Sequence, residues 1–195
     1  SHPKAKGLLK ILNYPLAAPS ANISSRVSPV TKNHVKEEFG KKIKYIIEGG
    51  LSKIGLESTI INLIGKPEVL RIGSIDINKL SKTLKRKLFY RKKTYMKVPG
   101  QNRLHYSPGI PLRINCKEAS LDEAFILVKK RNNSNKNFFY LSKNKNLKEA
   151  ARNLYSVLRM IKKKGYKKIA VEKIENKGIG LAINDRLQKA STKIK

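Results

Sequence analysis

The sequence predicts an α/β protein of two domains joined by a linker, on three observations. Residues 111–195 alternate strand-like and helix-like segments, a pattern typical of a small three-layer domain with a parallel sheet. Residues 1–88 also mix strands and helices, but without a regular alternation. Residues 89–110 contain prolines and glycines and have no hydrophobic period, which indicates a linker.

In the first part, the apolar spacing of residues 2–13 predicts a helix, and "PLAA" at 15–18 predicts a short buried strand. Thr31 can cap a helix over residues 32–39, which Gly40 would end. Strand-forming composition and a capping residue predict four further elements: strands in "KYIIEGG" (44–50), "STIINLIG" (58–65) and "EVLRIG" (68–73), and a helix from Asp76 to about Lys87.

In the second part, strands are predicted in "PLRIN" (111–115), "NFFYLS" (137–142) and "KKIAVEKI" (167–174). Each is followed by a predicted helix: residues 120–131, residues 146–165 and residues 180–191. Ser120 and Glu123 have the spacing of a capping box at the first of these helices. Asn146 can cap the second, and Gly165 can end it.

Composition excludes several classes of protein. Cys116 is the single cysteine, so no internal disulfide can form, and the chain suits a reducing compartment such as the cytoplasm. No apolar run approaches the length that crosses a membrane, and no signal peptide is recognisable. The histidines have no carboxylate neighbours at metal-binding spacing, and no phosphate-binding or dinucleotide-binding loop is complete. We therefore expect no metal site and no tightly bound cofactor.

The formal charge of +31 has two interpretations. Polycations bind nucleic acids by releasing counterions, which favours an RNA partner. However, the excess is spread evenly over both parts, and lysine far outnumbers arginine, which equally suits a general compositional bias. The densest stretch is residues 82–97, where basic residues alternate with aromatic ones that could stack on bases. The candidate RNA contacts in this stretch are Lys85, Arg86, Arg91 and Lys92.

Small polar residues follow several predicted strands. Ser20 and Asn22 follow "PLAAP". Glu57 immediately precedes "STIINLIG", Ser58 and Thr59 open it, and Arg71 lies towards the end of "EVLRIG". Hydroxyl and amide groups both donate and accept hydrogen bonds, and an arginine provides a planar charge for phosphate or carboxylate. This set predicts a site for a phosphate-bearing small ligand without a nucleophile. Capped turns explain the same residues equally well.

The motifs "PLAAPSANISSRVSP", "IIEGG", "GLESTIINL" and "LRIG" resemble, in order, the YrdC-like domain of L-threonylcarbamoyladenylate synthases. "HYSPGIPL" and "GIGLAINDRLQKAS" resemble the linker and the Rossmann-like C-terminal domain of the long form of this family. The resemblance implies part of a YrdC-like domain over residues 1–88, a linker over the active site at 89–110, and a Rossmann-like domain over 111–195. The family's N-terminal segment, with its Lys-x-Arg pair, has no counterpart, so we expect the chain to be part of a longer synthase.

The resemblance also implies a reaction: L-threonine, bicarbonate and ATP, with Mg²⁺, give threonylcarbamoyl-AMP and pyrophosphate. A separate transferase system then modifies tRNA. Ser20 and Ser58 would bind L-threonine, and Asn22, Arg71 and Tyr106 would bind ATP. Val30 stands where the family has a threonine that contacts the nucleotide. The alternatives are an RNA-binding YrdC-like module without synthase activity, and a carbamoyl-phosphate enzyme of hydrogenase maturation, which the "GIGLAINDRLQKAS" tail disfavours.

Overall fold

The computed structural model describes residues 2–90, 98–101, 105–132 and 135–191, which form two separate β-sheets. The first sheet has the order β1-β2-β3, with β1 antiparallel to β2 and β3 parallel to it. Its elements, with the helices of the first part, are α1 (Pro3–Ile11), α2 (Lys32–Phe39), β1 (Ile60–Asn62), β2 (Glu68–Arg71), α3 (Ile77–Leu84) and β3 (Phe89–Tyr90).

The predicted helix caps of the first part are confirmed. The Thr31 hydroxyl accepts a hydrogen bond from the His34 amide, and Gly40 ends α2 with a φ of 53°. The Asp76 carboxylate accepts hydrogen bonds from the first amides of α3. That helix is shorter than predicted, because Lys85 adopts a left-handed conformation with a φ of 49° that ends it.

Two predicted strands of the first part are wrong. Residues 15–18 and 44–50 form no strand, and most of their side chains are exposed. β-branched composition alone does not make a strand, because the backbone also needs a neighbouring strand to pair with. Conversely, Phe89 and Tyr90 pair with β2 in a strand that the sequence did not predict.

The second sheet is entirely parallel, with the order β4-β7-β5-β6. It confirms the α/β class with a parallel sheet. Its elements, with the two helices that pack on it, are β4 (Leu112–Cys116), β5 (Ala124–Lys129), β6 (Phe138–Ser142), α4 (Leu147–Lys163), β7 (Ile169–Glu172) and α5 (Ile179–Ala190).

The helix predicted over residues 120–131 is wrong, because residues 124–129 form the central strand β5. Glu123 does accept a hydrogen bond from the Ser120 amide, as in a capping box, but an apolar run buried on both faces follows it. Helices α4 and α5 contact each other as well as the sheet, so they share one face. Within the described residues, no helix forms the third layer that the sequence predicted.

The main hydrophobic core joins the two parts of the chain. Its buried residues come mostly from the second sheet, α4 and α5, but Val27, Val30 and Tyr106 belong to the same cluster. A smaller cluster lies between the first sheet and α3. Helices α1 and α2 contain no buried residue. No helix in the described ranges is long and apolar enough to cross a membrane.

Candidate functional site

Ser58 and Arg71 are held together at one end of the first sheet. Antiparallel pairing of β1 and β2 places Ile60 opposite Arg71, so the residues just before β1 lie beside the Arg71 side chain. The Arg71 Nε donates to the Ser58 carbonyl at 2.9 Å, and Nη2 donates to the Ser58 hydroxyl at 3.0 Å. Nη1 donates to the Pro99 carbonyl at 3.0 Å.

Gly73 allows this end of the sheet to close. A Cβ at Gly73 would lie 2.2 Å from the Thr59 amide nitrogen and 2.7 Å from the Glu57 carbonyl oxygen. Only glycine permits so close an approach between the two backbones. The segment after β2 is therefore packed directly against the residues that carry Ser58.

The Tyr106 side chain reaches the same place from the linker. A Cβ at Gly100 would lie 2.2 Å from the Tyr106 hydroxyl and 3.3 Å from the Arg71 Cδ, so these groups adjoin. Tyr106 is buried, and its hydroxyl has no hydrogen-bond partner among the described residues. Burial raises the pKa of Tyr106 to about 12, so at neutral pH the hydroxyl keeps its proton and can donate a hydrogen bond.

The loop that carries Ser20 and Asn22 is tied to the other side of the linker. The Asn22 amide group donates to the carbonyl oxygens of Ile23 at 2.9 Å and Arg26 at 3.2 Å. Arg26 pairs with Ser107 in a short parallel bridge, next to Tyr106. The Ser20 side chain is exposed and makes no hydrogen bond with the part of the chain that is described.

The other predicted site residues whose positions are described are Val30, Lys85 and Arg86. The Val30 side chain is buried in the main core, and its backbone bonds to His34 and Ser52. Lys85 and Arg86 are exposed at the end of α3, where Arg86 Nη2 donates to the Gly65 carbonyl at 3.2 Å. Arg91 and Lys92 lie outside the described residues.

Sequence reasoning missed a buried polar cluster around Glu57. The carboxylate accepts hydrogen bonds from the Ser28 hydroxyl at 2.7 Å, the Tyr155 hydroxyl at 2.9 Å and the Arg186 Nε at 3.0 Å. Burial alone would raise the pKa of Glu57, but the charge of Arg186 and these hydrogen bonds outweigh burial, so its pKa is lowered. In the sequence, the residues that could have indicated this cluster are Glu57 in "GLESTIINL" and Arg186 in "GIGLAINDRLQKAS".

Aromatic contacts connect this cluster to the linker. The Tyr106 and Tyr155 rings stack with their centroids 5.8 Å apart, and the Arg186 guanidinium lies 5.0 Å from the Tyr106 ring centroid. Burial lowers the pKa of His105, the residue before Tyr106, so this imidazole is neutral at neutral pH.

The site can bind and orient an anionic ligand. The second N–H of each Arg71 terminal nitrogen has no protein partner in the described ranges, and the adjoining Ser58 and Tyr106 hydroxyls can add hydrogen bonds. Among the described residues, no group of histidine, cysteine and acidic side chains could hold a metal ion.

Two family models match the chain. One, described as the C-terminal domain of threonylcarbamoyl-AMP synthase, matches residues 68–192. The chain belongs to the threonylcarbamoyl-AMP synthase family. The other model, described as "Telomere recombination", matches residues 1–73, so the two matches together span nearly the whole chain.

Curated relatives agree with this assignment. The chain is 33% identical to the threonylcarbamoyl-AMP synthase of Pyrococcus abyssi, over 98% of this chain and 62% of that protein. It is 32% identical to the synthase of Schizosaccharomyces pombe, over 98% of this chain and 55% of the relative. The chain thus spans less than two thirds of the length of these relatives.

Solved structures of the same family match the fold. The structure of P. abyssi Sua5 complexed with L-threonine has a TM-score of 0.84 and 31% identity, and the match covers 98% of this chain and 62% of that one. A second structure is a double variant of P. abyssi Sua5 in which alanine replaces an adjacent histidine and tyrosine. It matches with a TM-score of 0.81 and 31% identity, and the match covers 98% of this chain and 61% of that one.

Proposed function

We propose that this chain carries L-threonine and nucleotide contacts of a threonylcarbamoyl-AMP synthase, a nucleotidyltransferase acting in the cytoplasm. The observation that carries the proposal is the Ser58–Arg71 pair beside the Tyr106 hydroxyl. This pair offers a planar cation and neutral hydrogen-bonding groups, which suit phosphate oxygens beside the zwitterion of an amino acid. The substrates are L-threonine, bicarbonate and Mg²⁺-ATP.

In the proposed reaction, a carbamate oxygen of N-carboxy-L-threonine attacks the α-phosphorus of ATP, and pyrophosphate leaves. Ser20 and Ser58 bind the threonine, and Arg71 directs its free N–H groups at the phosphates. Such groups stabilise the charge that develops during phosphoryl transfer, and no covalent protein intermediate is needed. Tyr106 covers the nucleotide and donates a hydrogen bond to it. Asn22 acts through its loop, because its amide donors already bond to the backbone.

Two relatives support these roles. The bound L-threonine of P. abyssi Sua5 supports threonine as a ligand of the shared fold. The alanine variant of that protein changes an adjacent histidine and tyrosine, and His105-Tyr106 is the single His-Tyr pair of this sequence. This correspondence supports a functional role for the linker.

We assign residues 1–88 to the YrdC-like part of the catalytic domain, 89–110 to the linker over the site, and 111–195 to the Rossmann-like domain. The product is a mixed anhydride with a good leaving group. It is therefore suited to passing its threonylcarbamoyl group to tRNA through a separate transferase system. The exposed Lys85 and Arg86 are available to RNA, but the structure singles out no RNA surface.

Titration calorimetry of the chain with L-threonine, with and without Mg²⁺-ATP, tests the proposal. We expect saturable binding of L-threonine, weakened about 2-fold to 100-fold by Ser58→Ala, since a lost hydrogen bond to a ligand costs roughly 0.5–3 kcal/mol. Ser24→Ala, at an exposed serine in the same loop as Ser20, is the control and should bind normally. Absence of L-threonine binding by the folded chain would contradict the proposal.

A further inference from the structure

We propose that Arg186, on α5 of the second part, is a positioning residue for the Ser58–Arg71 pair. Its guanidinium is held by residues that directly adjoin both members of that pair. The catalytic consequence of this inference rests on the proposed function, but the positioning itself can be measured without any ligand.

The contacts of Arg186 reach both flanks of the site. Nε donates to the Glu57 carboxylate at 3.0 Å, and Glu57 immediately precedes Ser58. Nη1 donates to the Ile72 carbonyl at 2.7 Å, and Ile72 immediately follows Arg71. A guanidinium is planar and rigid, so these two bonds fix the Glu57 side chain, next to Ser58, relative to the backbone that follows Arg71.

The guanidinium is itself held in place on several sides. Its side chain is 1% exposed. The Asp185 carboxylate accepts a second bond from Nη1 at 2.6 Å and is in turn paired with Lys189 at 2.8 Å. The Tyr106 ring lies against the guanidinium with 5.0 Å between the charge centre and the ring centroid. Arg186 therefore contacts the linker as well as both flanks of the Ser58–Arg71 pair.

The partner carboxylate is held just as closely. Ser28 and Tyr155 donate to Glu57 from the first and second parts of the chain, at 2.7 Å and 2.9 Å. A buried ion pair is by itself weak evidence of a stabilising role, because well-packed apolar side chains of similar volume often stabilise a fold equally well. What distinguishes this one is its location: Glu57 precedes Ser58, and Arg186 bonds to Ile72, which follows Arg71, and lies against the Tyr106 ring.

Four variants separate positioning from general stability. Arg186→Met removes the three bonds to Glu57, Ile72 and Asp185, and Arg186→Lys keeps the charge without the rigid fork. The double variant E57Q/R186M also removes the unpaired carboxylate, so it can fold where R186M cannot. Arg113→Met is the matched control: Arg113 pairs with Glu123 through two bonds of 2.9 and 2.6 Å that lie wholly within the second part.

The direct measurement is the NMR signal of the Arg71 Nε–H group, which donates to the Ser58 carbonyl in the ligand-free protein. The Arg71 Nε–H signal is identified as the one that disappears from the spectrum of the Arg71→Lys variant. We expect R186M, R186K and E57Q/R186M each to shift or broaden this signal, with R186K changing it least, and we expect R113M to leave it unchanged. An unchanged Arg71 signal in any folded variant of Arg186 would overturn the inference.

Ligand binding provides the second measurement. We expect the variants lacking Arg186 to bind L-threonine at least 10-fold more weakly, and R113M to bind it normally even if its melting temperature falls. If the unmodified chain does not bind L-threonine, the proposed function fails, while the NMR measurement still decides whether Arg186 positions the pair. If binding is normal in the unmodified chain and in folded Arg186 variants alike, the inference fails and the proposed function stands.

Discussion

The two parts of this molecule differ in how they are held together. In the second part, α4 and α5 bury side chains against a parallel sheet, and strand β5 is buried on both faces. In the first part, α1 and α2 contain no fully buried residue, and the small cluster beneath α3 has few residues. The proposed binding residues belong to the less well packed part and to the linker. We therefore expect their geometry to depend on contacts with the neighbouring, better packed part.

Polar contacts join the two parts in addition to the shared hydrophobic core. Besides the Glu57–Arg186 pair, Arg159 on α4 bonds to Glu38 at 3.1 Å and to the Val27 carbonyl. The backbones also meet directly, since a Cβ at Gly55 would lie 2.5 Å from the Arg152 Cα. Directional bonds of this kind specify one relative arrangement, whereas a flat apolar contact would allow several.

We expect the largest effect from a variant that removes one partner of the buried Glu57–Arg186 ion pair. Glu57→Ala removes one of the two carboxylates that pair with the buried Arg186 guanidinium and leaves only Asp185, and breaking a buried ion pair typically costs about 3–5 kcal/mol of unfolding free energy. Urea unfolding measures this cost. Followed by probes in each part, it should show the first part unfolding at lower urea than the second. A loss below about 1 kcal/mol would mean that the parts are held together without this pair.

Matched leucine substitutions test the difference in packing. Leu154 on α4 is fully buried, whereas Leu9 on α1 is 53% exposed. Leu154→Ala should cost about 2–5 kcal/mol, because it removes buried surface and leaves a cavity. Leu9→Ala should change the unfolding free energy by no more than about 0.5 kcal/mol, as exposed sites generally do. An equal loss of unfolding free energy in both variants would contradict the difference in packing between α4 and α1.

The prediction from sequence succeeded where local signals decide structure. Thr31, Asp76 and Asn146 cap helices as expected, because an N-cap depends only on neighbouring amides. It failed at residues 120–131, where a local capping contact exists but burial between β6 and β7 makes the segment a strand. The site was also predicted only in part, because sequence motifs reveal local groups but not contacts between distant residues. Ser58 and Arg71 lie in recognisable motifs, while the Glu57–Arg186 contact joins residues 129 positions apart.

Acidic pH should weaken the second part through Glu123. Hydrogen bonds and charge from Arg113 lower the pKa of Glu123 from 4.5 to about 2. The folded state therefore binds this proton less readily than the unfolded chain, so the stabilisation is present above pH 4.5 and is lost as the pH falls towards 2. Glu123→Gln should reduce the slope of unfolding free energy against pH in this window. Glu118→Gln, at an exposed carboxylate nearby, should keep the original slope.

We expect the smallest effects from substitutions at Ser20 and Asn22. The side chains of these two residues have different surroundings, since Asn22 bonds to its own loop and Ser20 is exposed. Asn22 donates two hydrogen bonds to its own loop, so Asn22→Ala should cost about 1 kcal/mol of unfolding free energy and lower the melting temperature. The Ser20 hydroxyl is exposed and unpaired among the described residues, so Ser20→Ala should leave melting unchanged and weaken L-threonine binding. Melting and titration of both variants on the same preparations decide this. If Ser20→Ala lowers the melting temperature without weakening binding, then Ser20 stabilises the turn, and the threonine contacts in this chain must come from Ser58 and its neighbours.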